Sequence, residues 1–207
     1  RVHDFFQQGK VWLGVAQQID SNGTHQSARV AGFVHPQQRI DGKPVAFFGF
    51  WESTSALEPN RELFRRLEQW AQQQGAVALY GPIDFNTYGA YRLRLNDFDQ
   101  SCFLGEPYNP EYYPRLLGEL GFDITCRYQS CFHPDVKVLA EELQLRLQAV
   151  REQLQDQFHL SLMSADFWLN NLDELYPLVD VMFRQNFAYT PITLQQFRDS
   201  CGAAFAQ

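Results

Sequence analysis

The run Pro44–Glu52 (PVAFFGFWE) is the most apolar stretch of the chain, and it constrains the fold more than any other. Its aromatic and β-branched content reads as a strand. The absence of polar alternation places that strand at the centre of a sheet, covered on both faces. After it come, in order, a helix over 60–74, a strand over 76–85, a loop, a helix over 109–120, and then Gly121-Phe122. A strand, a crossover helix and a second strand form a right-handed unit with the two strands parallel.

Upstream, the signals are those of tight turns. Val11–Gln18 (VWLGVAQQ) is an apolar strand, Ser21-Asn22-Gly23-Thr24 a turn centred on Asn-Gly, and Ala28–Pro36 (ARVAGFVHP) the returning strand. Asp41-Gly42-Lys43 is a second turn leading into the apolar run. The expected fold class is therefore α/β (α+β): a central mixed, mostly antiparallel sheet flanked by helices.

The first helix opens at Glu58-Pro59-Asn60, with Asn60 as N-cap or first-turn residue. It carries Leu63, Phe64, Leu67, Trp70 and Ala71 on one face and ends at Gly75. The aperiodic stretch Tyr88–Glu106 reads as a long ordered loop. Residues 123–133 (DITCRYQSCFH) alternate in part and read as a strand. From Asp135 the texture changes. A long amphipathic helix over 135–157 carries Leu139, Leu143, Leu147, Val150 and Leu154. Next come a short strand over 159–164, a helix over 173–186 and a last helix over 194–204 capped by Thr193. The chain thus divides into a core over 1–134 and a helical tail over 135–207.

Composition excludes some classes of function. The net charge is −7, and Lys appears only at 10, 43 and 137, so no basic face exists for nucleic acid. No apolar run is long enough to span a membrane. Cys102, Cys126, Cys131 and Cys201 show no C-x-x-C pairing and read as reduced thiols, most of them core-filling, in a cytoplasmic protein. His35 and His133 have no ligand spacing, so no metal is expected.

Several longer motifs stand out: Gly49-Phe50-Trp51-Glu52, Gly81-Pro82-Ile83-Asp84-Phe85-Asn86-Thr87, the helix segment PYNPEYYPRLLGELGF over 107–122, and Thr190-Pro191-Ile192-Thr193 with LQQF directly after it. Together they resemble the GNAT superfamily of acyl-CoA N-acyltransferases, and within it uncharacterised bacterial proteins built from two tandem halves. The resemblance covers roughly residues 10–200. It implies a GNAT-like fold and transfer of an acyl group from acetyl-CoA or a longer acyl-CoA to the amine of a small molecule or peptide.

The resemblance also assigns roles. The pantetheine arm would pair with the backbone of residues 48–52, making Phe50, Trp51, Asn60 and Arg61 cofactor-binding candidates. Glu52, Tyr112 and Tyr113 are the catalytic candidates, with Asp84 and His133 as other possible bases. Tyr80, Asp84, Asn86 and Tyr108 are candidates for the substrate. Two positions depart from the family pattern. Glu58 and Asn60 stand where a glycine-rich phosphate turn is expected, and Leu117 stands where many members carry an acid tyrosine. The residues alone allow a plainer reading, with Asp84 and Asn86 holding an Asx turn and the tyrosines packed as a cluster. The alternative function is thus a noncatalytic GNAT-like module that binds a small ligand or peptide or supports a second half. The strand–helix–helix tail either folds back onto the core or docks on another copy as a homodimer.

Overall fold

A computed structural model describes residues 5, 7–21, 23–154 and 163–202. β1 (Lys10–Asp20) and β2 (Gly23–Val34) form a long antiparallel hairpin about the expected turn, of which Asn22 lies outside the described residues. β3 (Arg39–Ile40) and β4 (Lys43–Pro44) make a short ribbon around Asp41-Gly42. Both turn residues have positive φ, 50° and 73°, the backbone twist that a two-residue hairpin loop needs.

β5 (Ala46–Ser53) pairs antiparallel with β2 and parallel with β6 (Leu79–Tyr80), giving the order β1-β2-β5-β6. The crossover from β5 to β6 is α1 (Leu57–Gln73). The protein is therefore a mixed α/β structure with a mostly antiparallel sheet flanked by helices, and the apolar run is an interior strand. Only two residues of the strand expected over 76–85 are regular, because the chain turns away at Gly81.

Strand alternation sends side chains to two faces. On one, Ala28, Val30, Phe48 and Trp51 pack against Leu63, Phe64 and Leu67 of α1 and Tyr113, Leu116 and Leu117 of α2 (Tyr112–Glu119). Phe48 meets Phe64 edge-on at 5.0 Å, and both touch Phe122 of the closing Gly-Phe. On the other face, Ala31, Phe33, Val45 and Phe47 pack with Phe5, Ile83 and Ala188.

The chain divides into two compact units, Arg1–Asp123 with Asn171–Gln207, and Ile124–Asn170. In the first, α5 (Leu172–Phe183) and α6 (Leu194–Cys201) form a pair. α6 starts with the expected Thr193 cap, reciprocated by Gln196, and Tyr176 Oη donates to Ile192 O at 2.6 Å. The second unit holds α3 (Val136–Leu154) and α4 (Ala165–Asn170). The strand read over 159–164 falls largely outside the described residues.

Two expectations are corrected. Residues 123–133 form no strand: they are irregular, and Ile124, Tyr128 and Phe132 are 53%, 50% and 74% exposed. Alternation alone does not make a strand, which also needs a ladder of backbone hydrogen bonds to a neighbour. Cys102, Cys126 and Cys131 are exposed free thiols rather than core fillers, because a cysteine's burial depends on the element that carries it. Among the described residues, no helix is long and apolar enough to cross a membrane.

Leu67 is fully buried between α1 and the sheet. Leu67→Ala is expected to cost about 2–5 kcal/mol in urea unfolding, the range for truncating a buried leucine.

Candidate functional site

Beyond Phe47 and Tyr80, the last parallel pair, β5 and β6 no longer share a ladder. At the same point β5 bulges. Its register against β2 shifts between Arg29 and Ala31, and Phe50 has φ 47°, a rare conformation for a bulky residue. The fork that would open is tied shut. Ile83 N–H donates to Phe48 O at 2.7 Å, and Phe50 N–H donates to Asp84 Oδ1 at 2.7 Å. The packing is close enough to need glycine on both sides. A methyl group on Gly49 would stand 2.5 Å from Ile83 O and overlap Asp84 Oδ1, and one on Gly81 would overlap Phe48 O.

The far end of β5 is clamped from the helix side. Ser53 N–H donates to Tyr113 Oη at 2.9 Å, and Tyr112 Oη donates to Ser53 O at 2.6 Å. The Tyr113 hydroxyl donates in turn to Glu52 Oε2 at 2.8 Å. Burial first, and the Glu52 carboxylate second, raise the Tyr113 phenol well above its ordinary value, while the Ser53 amide pulls the other way. Trp51 stacks 4.3 Å from Tyr113 and donates through Nε1 to Asn60 Oδ1 at 3.0 Å. Asn60 is buried inside α1 and donates to Ser53 Oγ at 2.5 Å and Ala56 O at 2.7 Å. Arg61 is exposed and paired with Glu58 at 2.8 Å.

Outside the closed fork lies a cavity of about 340 Å3. Its floor is Phe50, Trp51 and Glu52 of β5 with Arg29 of β2, and its walls come from the segment after β6. That segment is held locally. Asp84 N–H donates to Ala90 O at 2.8 Å, Ile83 bridges to Tyr91, and Asn86 Oδ1 accepts from Tyr88 N–H at 2.9 Å as an Asx turn. The buried Asn109 accepts from Arg94 N–H at 2.8 Å and donates to Arg94 O and Pro110 O, fastening the loop's two ends. Arg92 lies 4.6 Å over the Tyr91 ring and pairs with Glu106 at 3.3 Å.

Asp84 is perturbed by this enclosure. Burial raises its carboxyl, the Phe50 amide and Arg29 oppose the rise, and Glu52 adds to it. The back of the same segment meets the tail. Tyr88 and Tyr189 hydroxyls lie 3.4 Å apart, Tyr189 donates to Asp180 Oδ1 at 2.8 Å, and Tyr80 meets Phe187 edge-on at 5.6 Å.

Of the residues singled out from sequence, Phe50, Trp51, Glu52, Asp84, Tyr108 and Tyr113 line one cavity. Tyr112, Asn60, Arg61, Tyr80 and Asn86 do not, and their side chains are engaged elsewhere. Arg29, Tyr91, Arg92, Glu106 and Asn109 also line it and were not foreseen. Arg29 sits opposite Glu52, a pairing hidden by the separate β3–β4 ribbon and by the bulge. The others fall in an aperiodic loop with no spacing rule. A larger open groove of about 1150 Å3 between β1 and α1, walled by Trp12, Leu63 and Trp70, gathers only Glu58 of the polar positions singled out from sequence. No protein-family model, curated protein or solved structure matches this chain.

Tyr113→Phe keeps the ring but strands the Ser53 amide, so a loss of about 1–3 kcal/mol is expected in chemical unfolding. Asp84→Asn keeps an acceptor for Phe50 N–H and removes the half-buried charge. Because folding raises the Asp84 carboxyl, its contribution to stability is present at acid pH and lost as pH rises through the folded value. The variant is therefore expected to melt higher than the native protein at pH 7, with the gap closing toward pH 3. A constant gap across that range would show that Asp84 is not titrating as described.

Proposed function

We propose that this chain is a GNAT-like module that does not transfer acyl groups and instead binds a small ammonium-bearing ligand in the cavity beside the strand fork. The observation that carries this reading is the Asp84 carboxylate on the Phe50 amide. In the acyltransferase architecture, that backbone is what an acyl-CoA's pantetheine arm pairs with, and here it is already used.

The phosphate end points the same way. The first turn of α1 offers Glu58, a negative charge, and Pro59, which has no N–H, where a pyrophosphate needs bare amides. The fold-level support is the order of meander, helix, parallel strand and helix, with a bulge at the fork. Glu52 and Asp84 supply carboxylates to the cavity, while Phe50 and Tyr108 supply aromatic faces suited to a cation.

A second reading, an acyl-CoA-dependent N-acyltransferase, draws on one specific feature: the Glu52–Tyr113 hydrogen bond puts a base-type carboxylate and a phenol on one wall of the cavity. Isothermal titration separates the two readings. Acetyl-CoA and a long-chain acyl-CoA are expected to give no heat with folded protein. A panel of primary amines is expected to raise the melting temperature, and Glu52→Gln combined with Asp84→Asn should abolish that rise. Micromolar acyl-CoA binding lost on Arg61→Ala would reverse the assignment in favour of the transferase.

A further inference from the structure

Glu52 and Asp84 account for one pole of the cavity, and Arg29 for another. Arg29 is the cross-strand partner of Glu52 and lines the same space, close enough to Asp84 to act on its charge. Yet among the described residues of this unit it is the one arginine whose side chain makes no hydrogen bond or ion pair. Arg39 is held by Gly42 O, Arg61 by Glu58, Arg65 and Arg66 by Glu62, and Arg94 by Asn96 O. Arg115 pairs with Glu119, Arg184 with Asp180, and Arg198 with Asp173. Arg92, the other cation on the cavity wall, is committed to Glu106 and the Tyr91 ring.

The carboxylates have capacity left. Tyr113 uses one oxygen of Glu52, and the Phe50 amide uses one of Asp84. An ionised carboxylate accepts through both oxygens. The cavity thus presents acceptors for an ammonium and a guanidinium fork for a carboxylate, the geometry in which arginine binds that group with two parallel hydrogen bonds. Its volume of about 340 Å3 is at the small end for ligand sites, the scale of a single metabolite. At the rim, Phe50 is 45% and Tyr108 79% exposed, two large aromatic surfaces available to an apolar side chain.

We infer that the ligand of this cavity is a free α-amino acid with an apolar or aromatic side chain, held at both poles: Arg29 takes its carboxylate, Glu52 and Asp84 take its ammonium, and Phe50 and Tyr108 face its side chain. This rests on the ligand-binding reading above and adds the second pole. A zwitterion also suits the electrostatics, because its two charges compensate Arg29 and the carboxylate pair together rather than one at the other's expense.

The test is calorimetry on the whole chain with L-phenylalanine and L-leucine, their decarboxylated counterparts phenethylamine and isopentylamine, and the deaminated 3-phenylpropionate. Removing either pole should weaken binding at least ~10-fold, since a site's polar groups are then left unpaired. Arg29→Ala, an exposed position whose loss leaves the core intact, should abolish the preference for L-phenylalanine over phenethylamine. Arg29→Lys should recover part of the difference. Phenethylamine binding as tightly as L-phenylalanine, with neither affected by Arg29→Ala, would overturn the two-pole inference while leaving the ammonium site standing. Binding of 3-phenylpropionate alone, indifferent to Glu52→Gln, would overturn the ammonium pole. No binding by any of the five, with circular dichroism showing a folded chain, would overturn the inference and the ligand-binding reading together.

Discussion

One carboxylate–amide hydrogen bond, Asp84 Oδ1 with Phe50 N–H at 2.7 Å, sets the terms for the region around it. The bulge in β5 gives Phe50 a positive φ and breaks its register with β2, so its amide needs a partner elsewhere. An ionised acceptor makes a stronger bond to such an amide than a neutral one. Its cost is a charge in a half-buried place, visible in the raised Asp84 carboxyl. The bond also brings the segment after β6 against β5 so tightly that only glycine fits at 49 and 81. Fork closure, loop position and the cavity beyond them are one consequence of the bulge.

The opposite end of β5 solves a similar problem with neutral groups. Ser53 ends the strand, and two adjacent tyrosines of α2 satisfy its backbone groups, one as acceptor and one as donor. Asn60 does the same work from α1, joining Trp51, Ser53 and Ala56. Buried polar groups of this kind are stable only when fully paired, and here each has its partner. That engagement explains why Asn60, inside a helix, is among the most buried side chains of the protein.

Much of the architecture was legible because its causes are local. Asn-Gly and Asp-Gly dictate tight turns, the stripe Leu63–Phe64–Leu67–Ala71 dictates one buried helix face, and a helix between two apolar strands dictates a parallel crossover. The run over 123–133 misled for the converse reason: its alternation is real, but a strand also needs a free edge, which no local pattern reports. The cavity was half legible. Phe50, Glu52, Asp84, Tyr108 and Tyr113 are conspicuous as separate polar or aromatic residues of a strand, a loop and a helix, yet only the fold brings them to one place. Arg29 was invisible because it reaches the cavity through register, and Arg92 and Glu106 because they belong to a loop with no period.

A fork closed by the segment that follows it need not leave a fold without a site. Closing it removes the extended slot in which a long, flexible cofactor would lie, but the same loop that closes it builds walls around a compact space beside it. The residues that close and the residues that line are then shared. Asp84 holds the Phe50 amide with one oxygen and faces the cavity with its other acceptor capacity. Glu52 anchors the Tyr113 hydroxyl while lying opposite Arg29. Side chains fixed in this way would lose little freedom on meeting a ligand, because the fold has already ordered them. The strain at Phe50 and the charge at Asp84, each unfavourable alone, thus accompany a cavity lined by groups of both charges.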